Sequence, residues 1–280
     1  MVGFTRATLG KVMSGVMVMG LVAGGALAAS ALNAGAANPA IVDHFLCYAA
    51  TSPPTAAAPG FKVPAGLRLI DQFAPNGFLP KVGAVDLHCN PAQKTVLTSV
   101  TRVTNPSAHL LCWGISATTA QPAETVVVTN QFGKATLKVS APNQLCLPTW
   151  KSLTGPPATK TPAPPALSHF TCYPVALLPG TAGFQPPSSV TVRDQFSPKP
   201  VPVKVGAPLL LCLPTTKILP TGASFRSVND RTHLLCFAVS PTPKKTPVFD
   251  KNQFGQGKVN VLKTRLLCLP STKVVVGPNG

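Results

Sequence analysis

Residues 233–240 read HLLCFAVS, and on a strand their side chains divide into two faces, with His233, Leu235 and Phe237 on one and Leu234, Cys236 and Ala238 on the other. A histidine and a cysteine three apart on a strand cannot both reach one metal without a bulge, whereas on a helix they could. Pro241 follows at once, and the chain carries 32 Pro and 22 Gly in 280 residues, so the helical reading loses. No Cys-x-x-Cys pair occurs anywhere. The segment reads as a strand, with no metal or haem site and no cofactor.

The same phrase recurs four times. Unit one runs from HFLCY (44–48) through DQF (71–73) to CNPAQK (89–94), and unit two from HLLCW (109–113) through NQFG (130–133) to CLPTWK (146–151). Unit three has HFTCY (169–173), DQF (194–196) and CLPTTK (212–217), and unit four has HLLCF (233–237), NQFG (252–255) and CLPSTK (268–273). His44 and His169 lie 125 positions apart, His109 and His233 124, and DQF alternates with NQFG, so the chain is a duplicated pair. This pattern resembles a family of tandem secreted bacterial domains of unknown function built from HxxCY…DQF…LCxPxxK units. The resemblance spans nearly the whole mature chain and implies a β fold and export, with no activity attached. Departures are Trp113 and Phe237 in place of tyrosine, and HCNP (88–91) in place of LCxP.

A charged start (Arg6, Lys11), an apolar run from Val12 to Ala28 and small-residue exits at Ala28 or Ala36 predict a secretory signal peptide over residues 1–36. The mature protein is then expected to be secreted, periplasmic or at the cell surface, with no transmembrane segment after cleavage. The Pro-rich stretch TGPPATKTPAPPA (154–166) reads as a semi-rigid spacer. The expected organisation is a β domain over 37–153, a linker over 154–167 and a second β domain over 168–280. Each unit offers three strands, represented by HLLCFAV (233–239), TVVVTNQF (125–132) and ATLKV (135–139). The fold class is all-β, with two similar disulfide-stapled β-sandwich or small-barrel domains, each from two related three-stranded units.

Eight evenly spread cysteines in an exported chain predict a disulfide framework. The first choice pairs within units: Cys47–Cys89, Cys112–Cys146, Cys172–Cys212 and Cys236–Cys268. The alternative exchanges partners between the units of a pair, as Cys47–Cys146 with Cys89–Cys112 and Cys172–Cys268 with Cys212–Cys236. Each within-unit loop is worth roughly 4 kcal/mol in the chain-entropy account.

The remaining motif residues read as structural. His44, His109, His169 and His233 share a strand face with Tyr48, Trp113, Tyr173 and Phe237, which suits a packed imidazole with one ring nitrogen bonded to backbone. Asp71, Asn130, Asp194 and Asn252 are turn formers, and Phe73, Phe132, Phe196 and Phe254 are core candidates. Lys94, Lys151, Lys217 and Lys273 are expected solvated at strand ends. A Lys–Asx isopeptide crosslink would need a carboxylic acid in an apolar site, and no acidic residue recurs in every unit. With one Glu and six Asp in the chain, paired carboxylates are scarce, and no nucleophile, phosphate-loop or zinc-protease motif occurs, so no catalytic residue is assigned.

Formal charge is +17, or +15 without Arg6 and Lys11, and it is uneven: residues 37–153 hold 8 Lys/Arg against 4 acids, residues 154–280 hold 14 against 3. An anionic extracellular polymer held by the second half is the expected partner. Stacking aromatics are few, and no specific nucleic-acid motif is present. The sequence favours a secreted, non-enzymatic structural, adhesive or binding repeat protein, with an extracellular hydrolase as the alternative.

Overall fold

Every His-x-x-Cys-aromatic segment and every Cys-x-Pro segment forms a strand, and these eight strands close on one another. The computed structural model describes residues 42–53, 60–117, 124–156, 167–179 and 186–276. The expected signal peptide and residues 157–166 of the expected linker lie outside them. The closing strands are β1 (Phe45–Thr51), β2 (Pro80–Pro91), β3 (His109–Ala117), β4 (Gln144–Ser152), β5 (His169–Leu177), β6 (Val205–Ile218), β7 (His233–Val239) and β8 (Gly255–Val276). Each pairs antiparallel with the next from β1 to β8, and β8 pairs with β1 through Phe45↔Cys268 and Leu46↔Leu267. The result is one eight-stranded antiparallel barrel.

The two faces of HLLCFAV become the two sides of this barrel wall. Inside lie the cysteines and their alternation partners, Phe45, Leu110, Phe170 and Leu234 on the first strands and Leu87, Leu210 and Leu266 on the second. Cys47–Cys89, Cys112–Cys146, Cys172–Cys212 and Cys236–Cys268 are bonded, each pair directly opposed in register. Sulfurs of neighbouring units also touch, Cys47 against Cys268 and Cys146 against Cys172, both at 3.8 Å. About 10 Å³ of free space remains at the centre, too little to hold a water comfortably. Outside lies a larger apolar layer that includes Leu46, Tyr48, Trp113, Tyr173, Leu235 and Phe237.

That outer layer is covered by arms carrying the Asx-Gln-Phe motifs. The arms are Arg68–Ile70, the hairpin of Glu124–Asn130 and Gly133–Val139, the hairpin of Val190–Arg193 and Val201–Val203, and Pro243–Asn252 folded on the start of β8. Each arm crosses to the unit diagonally opposite. The register pairs Leu69 with Lys217, Val128 with Lys273, Val192 with Lys94 and Asp250 with Lys151.

The expected division into two domains is therefore corrected: the described residues of both expected domains fall in one compact unit. Two units alone would supply four barrel strands with two open edges and a half-exposed row of cysteines, and only all four units close the sheet. The proline-rich stretch joins β4 to β5, which pair directly through Gln144↔Cys172 and Cys146↔Phe170, so it links neighbouring strands of one body. Each unit gives two strands to the barrel and sends its middle segment, also a strand, to another unit.

Candidate functional site

Four equivalent frames result from the interlacing. In each, the lysine of one unit meets the Asx-Gln-Phe turn of the next unit and the arm of the unit after that. The turns are built alike: Asp71 Oδ1 accepts from the Phe73 and Ala74 amides at 2.8 and 3.1 Å, Asp194 Oδ1 from those of Phe196 and Ser197 at 3.0 and 2.8 Å. Asn130 and Asn252 Oδ1 accept from the Phe132 and Phe254 amides at 2.8 Å. The four phenylalanines pack edge-on or tilted against the first-strand aromatics of the opposite units, in the pairs Phe196–Tyr48, Phe73–Tyr173, Phe254–Trp113 and Phe132–Phe237, with centroids 5.0–5.2 Å apart. Tyr48 donates to Asp194 Oδ2 at 2.9 Å, and Tyr173 donates to Asp71 Oδ2 at 2.7 Å, so units one and three clasp each other reciprocally. Burial and the adjoining carboxylate push both phenol pKa values far up.

The lysines are not solvated. Lys94 and Lys217 are wholly buried and Lys151 and Lys273 half-buried. Each ammonium lies over a phenylalanine ring, Lys94 on Phe132, Lys151 on Phe196, Lys217 on Phe254 and Lys273 on Phe73, at 4.3–4.9 Å. Burial lowers their pKa, to about 8 for Lys94 and Lys151 and about 7 for Lys217. The registers explain the misreading: each lysine closes a strand that the opposite arm extends, so its amine ends beneath an arm.

The motif histidines are buried, but their partners are glutamines of the following unit where a partner exists. His169 Nε2 meets Gln253 Oε1 at 3.0 Å, and His44 bonds the Gln131 side chain, whereas Nδ1 of His109 and of His233 has no hydrogen-bond partner. Desolvation holds all four far below the ordinary imidazole pKa, to about 3 for His44 and His169 and about 4 for His233.

One frame differs from the others, and sequence reasoning assigned none of the residues that make it different. At Lys151, three positions that are leucine or valine elsewhere are polar. His88 stands where units two to four have Leu145, Leu211 and Leu267, and Asn90 where they have Leu147, Leu213 and Leu269. Asp250 stands where the other arms have Leu69, Val128 and Val192. All three are wholly buried. Asp250 Oδ2 lies 2.8 Å from His88 Nδ1, and His88 Nε2 lies 3.0 Å from Asn90 Oδ1. Asn90 donates Nδ2 to Asp194 Oδ2 at 2.8 Å and accepts from Lys151 Nζ at 2.7 Å. The amide orientation is fixed by this company, since a flipped Asn90 would aim its NH₂ at the Lys151 amine and its oxygen at the Asp194 carboxylate. The network thus runs from Asp250 through His88 to Asn90, which branches to Lys151 on one side and to Asp194 and Tyr48 on the other, drawn from five strands and turns. The repeat alignment carried the signal for it: HCNP departs from LCxP at these two places.

The Asp250–His88 pair has the contacts of an acid–base dyad, yet the second ring nitrogen is occupied by Asn90 and both residues are sealed from solvent. Among the described residues no cluster of three or more His, Cys, Asp or Glu could hold a metal ion. The outer neighbour of the network is a groove of about 470 Å³, lined by Gln93, Arg102, Pro106, Arg193, Asp194 and Gln195. Arg102 and Arg193 are exposed, one from each half of the sequence.

A family model described as a repeat of unknown function (DUF7450) matches residues 109–270, from the first histidine of unit two to the Cys-x-Pro of unit four. No curated protein and no solved structure matches the chain. The matched stretch is more than half of the 280 residues, and the chain belongs to this family of repeats of unknown function.

Proposed function

We propose that the protein is a secreted, non-enzymatic repeat protein that binds an anionic extracellular polymer through the groove of Arg102 and Arg193. The observation that carries the reading is that two exposed arginines, Arg102 and Arg193, line one groove, on a body of net charge +15 without its leader. Guanidinium groups suit sulfate, phosphate and carboxylate groups because they offer planar, paired donors to planar or tetrahedral anions. The repeated histidines, phenylalanines and lysines face one another in the interior, which supports a scaffold in place of four repeated catalytic sets. Four disulfides and a plugged barrel suit a protein that works in an oxidising, protease-exposed setting such as a bacterial cell surface.

The test is retention of the mature protein on a matrix of sulfated polysaccharide across a salt gradient. Retention that falls with salt, and falls further in Arg102→Ala/Arg193→Ala while Lys134→Ala leaves it in place, is the expected result. Equal retention of the double variant and the parent would refute the groove, and no retention at low salt would refute the partner class.

A further inference from the structure

The geometry points to an autocatalytic crosslink: the Lys151 side chain condenses with the Asn90 carboxamide to form an intramolecular isopeptide bond, with Asp194 carrying the proton and His88 polarising the carbonyl.

Three kinds of group must meet in a dry place for an amine to displace ammonia from an amide: the amine, the carboxamide, and a carboxyl group able to move a proton. The four frames supply an internal comparison. At Lys94 the amine meets the carboxamide of Gln131, but the turn residue is Asn130 and no carboxylate adjoins. At Lys273 the turn supplies Asp71, but Leu213 occupies the place of the carboxamide. At Lys217 the turn is Asn252 and the equivalent of Asn90 is Leu147, and Nζ has no hydrogen-bond partner. Only at Lys151 do amine, amide and carboxylate coincide, with 2.7 Å from Nζ to Asn90 Oδ1 and 2.8 Å from Asn90 Nδ2 to Asp194 Oδ2.

With a carbonyl bond of about 1.2 Å, Nζ stands within about 4 Å of Asn90 Cγ. Nucleophilic attack begins at about 3–3.5 Å, so a small adjustment of the lysine side chain suffices. Burial lowers the Lys151 pKa to about 8, which gives a share of free amine near neutrality. His88 contributes the electrophilic pull. Its Nδ1 faces the Asp250 carboxyl group and its Nε2 faces a carbonyl oxygen, which can only accept, so Nε2–H donates to Asn90 Oδ1. The donor is aimed at the oxygen on which negative charge grows.

The step balances without an external reagent. The Nζ lone pair forms the Nζ–Cγ bond while the carbonyl pair moves onto Oδ1, held by His88. Asp194 accepts one proton from Nζ and delivers it to Nδ2, to which it is already bonded. The carbonyl re-forms, the Cγ–Nδ2 bond breaks, and ammonia leaves. The Asp194 side of the network borders the Arg102–Arg193 groove, which gives the ammonia a short way out. The bond would tie β2 to β4 across β3, outside the barrel wall where no disulfide reaches.

The test is the intact mass of the exported full chain, reduced and non-reduced, followed by mapping of proteolytic peptides. The expected mass is one ammonia below that of the processed sequence, and the peptide holding Asn90 stays joined to the one holding Lys151 after full reduction. Lys151→Arg restores the missing ammonia, while Lys94→Arg leaves the loss unchanged. Separate Asn90 and Lys151 peptides from the parent protein overturn the proposal, as does a crosslink that maps to Lys94 and Gln131. If Lys151→Arg fails to fold, the parent's peptide map alone decides.

Discussion

At Lys94, Lys217 and Lys273 the repeated frame encloses leucine and valine, and at Lys151 the same frame encloses His88, Asn90 and Asp250. Backbone, turn, aromatic clasp and buried amine are common to all four. Three apolar frames show that the barrel does not need the polar set, because Leu145, Leu147 and Val128 fill the equivalent volumes with no hydrogen bonds to satisfy. Burying an imidazole, an amide and two carboxylates in one place instead costs desolvation that their mutual bonds only partly return. A structural requirement does not explain that expense, whereas a chemical or positioning task confined to one frame does.

The first way to probe the comparison acts on all four frames together and carries the largest effect. Every motif histidine is held neutral by burial, with pKa values of about 3 at His44 and His169 and about 4 at His233 against 6.5 unfolded. The unfolded chain therefore takes up protons below 6.5 that the folded chain refuses. The histidines' contribution to stability is fully present above about pH 6.5 and is lost as pH falls toward 3. The lowered lysines act in the same direction at higher pH, since Lys217 at about 7 and Lys94 at about 8 let stability grow as pH rises toward 10.5. Melting curves between about pH 4 and pH 9, below the range where the raised phenol pKa values of Tyr48 and Tyr173 act in the opposite sense, should show Tm climbing; a level Tm between about pH 7 and 4 would mean that the imidazoles are accessible.

Next in size is a contrast within the polar frame. Asp250→Val alone leaves His88 without its carboxylate and should cost about 3–5 kcal/mol in urea unfolding. Compared in a Lys151→Arg background, where no crosslink can form in either chain, the triple change His88→Leu, Asn90→Leu and Asp250→Val converts the frame to the pattern of its neighbours and should be neutral or gain about 1–4 kcal/mol. A triple variant as unstable as the single one would show that the polar set is needed for folding, which would undo the comparison.

The smallest effect belongs to an apolar frame. Lys217 Nζ is buried without a hydrogen-bond partner, held only by the faces of Phe225 and Phe254 at 5.0 and 4.8 Å. Lys217→Met keeps the stem and removes the unsatisfied cation, so a gain of about 1 kcal/mol is expected. A loss of that size would mean that the cation–π contacts outweigh the desolvation.

The legibility of this chain follows the range of its interactions. The inward and outward faces of HLLCFAV, the four units, the turn chemistry of Asp71 and Asn130 and the burial of the phenylalanines rest on period two and on neighbours within a few residues. His88 and Asn90 were visible as a departure from the repeat, but their meaning waited on partners 162 and 104 residues away, Asp250 and Asp194.

The sequence by itself determined an all-β chain of four cysteine-paired units, because alternation and repetition are local properties that any window of the chain displays. Only the tertiary structure decided that all four units close one barrel, that each arm crosses to the opposite unit, and that the lysines lie buried beneath those arms. Those outcomes depend on edge closure and on contacts such as Tyr48 to Asp194, 146 residues apart, which the pattern within a single unit does not encode.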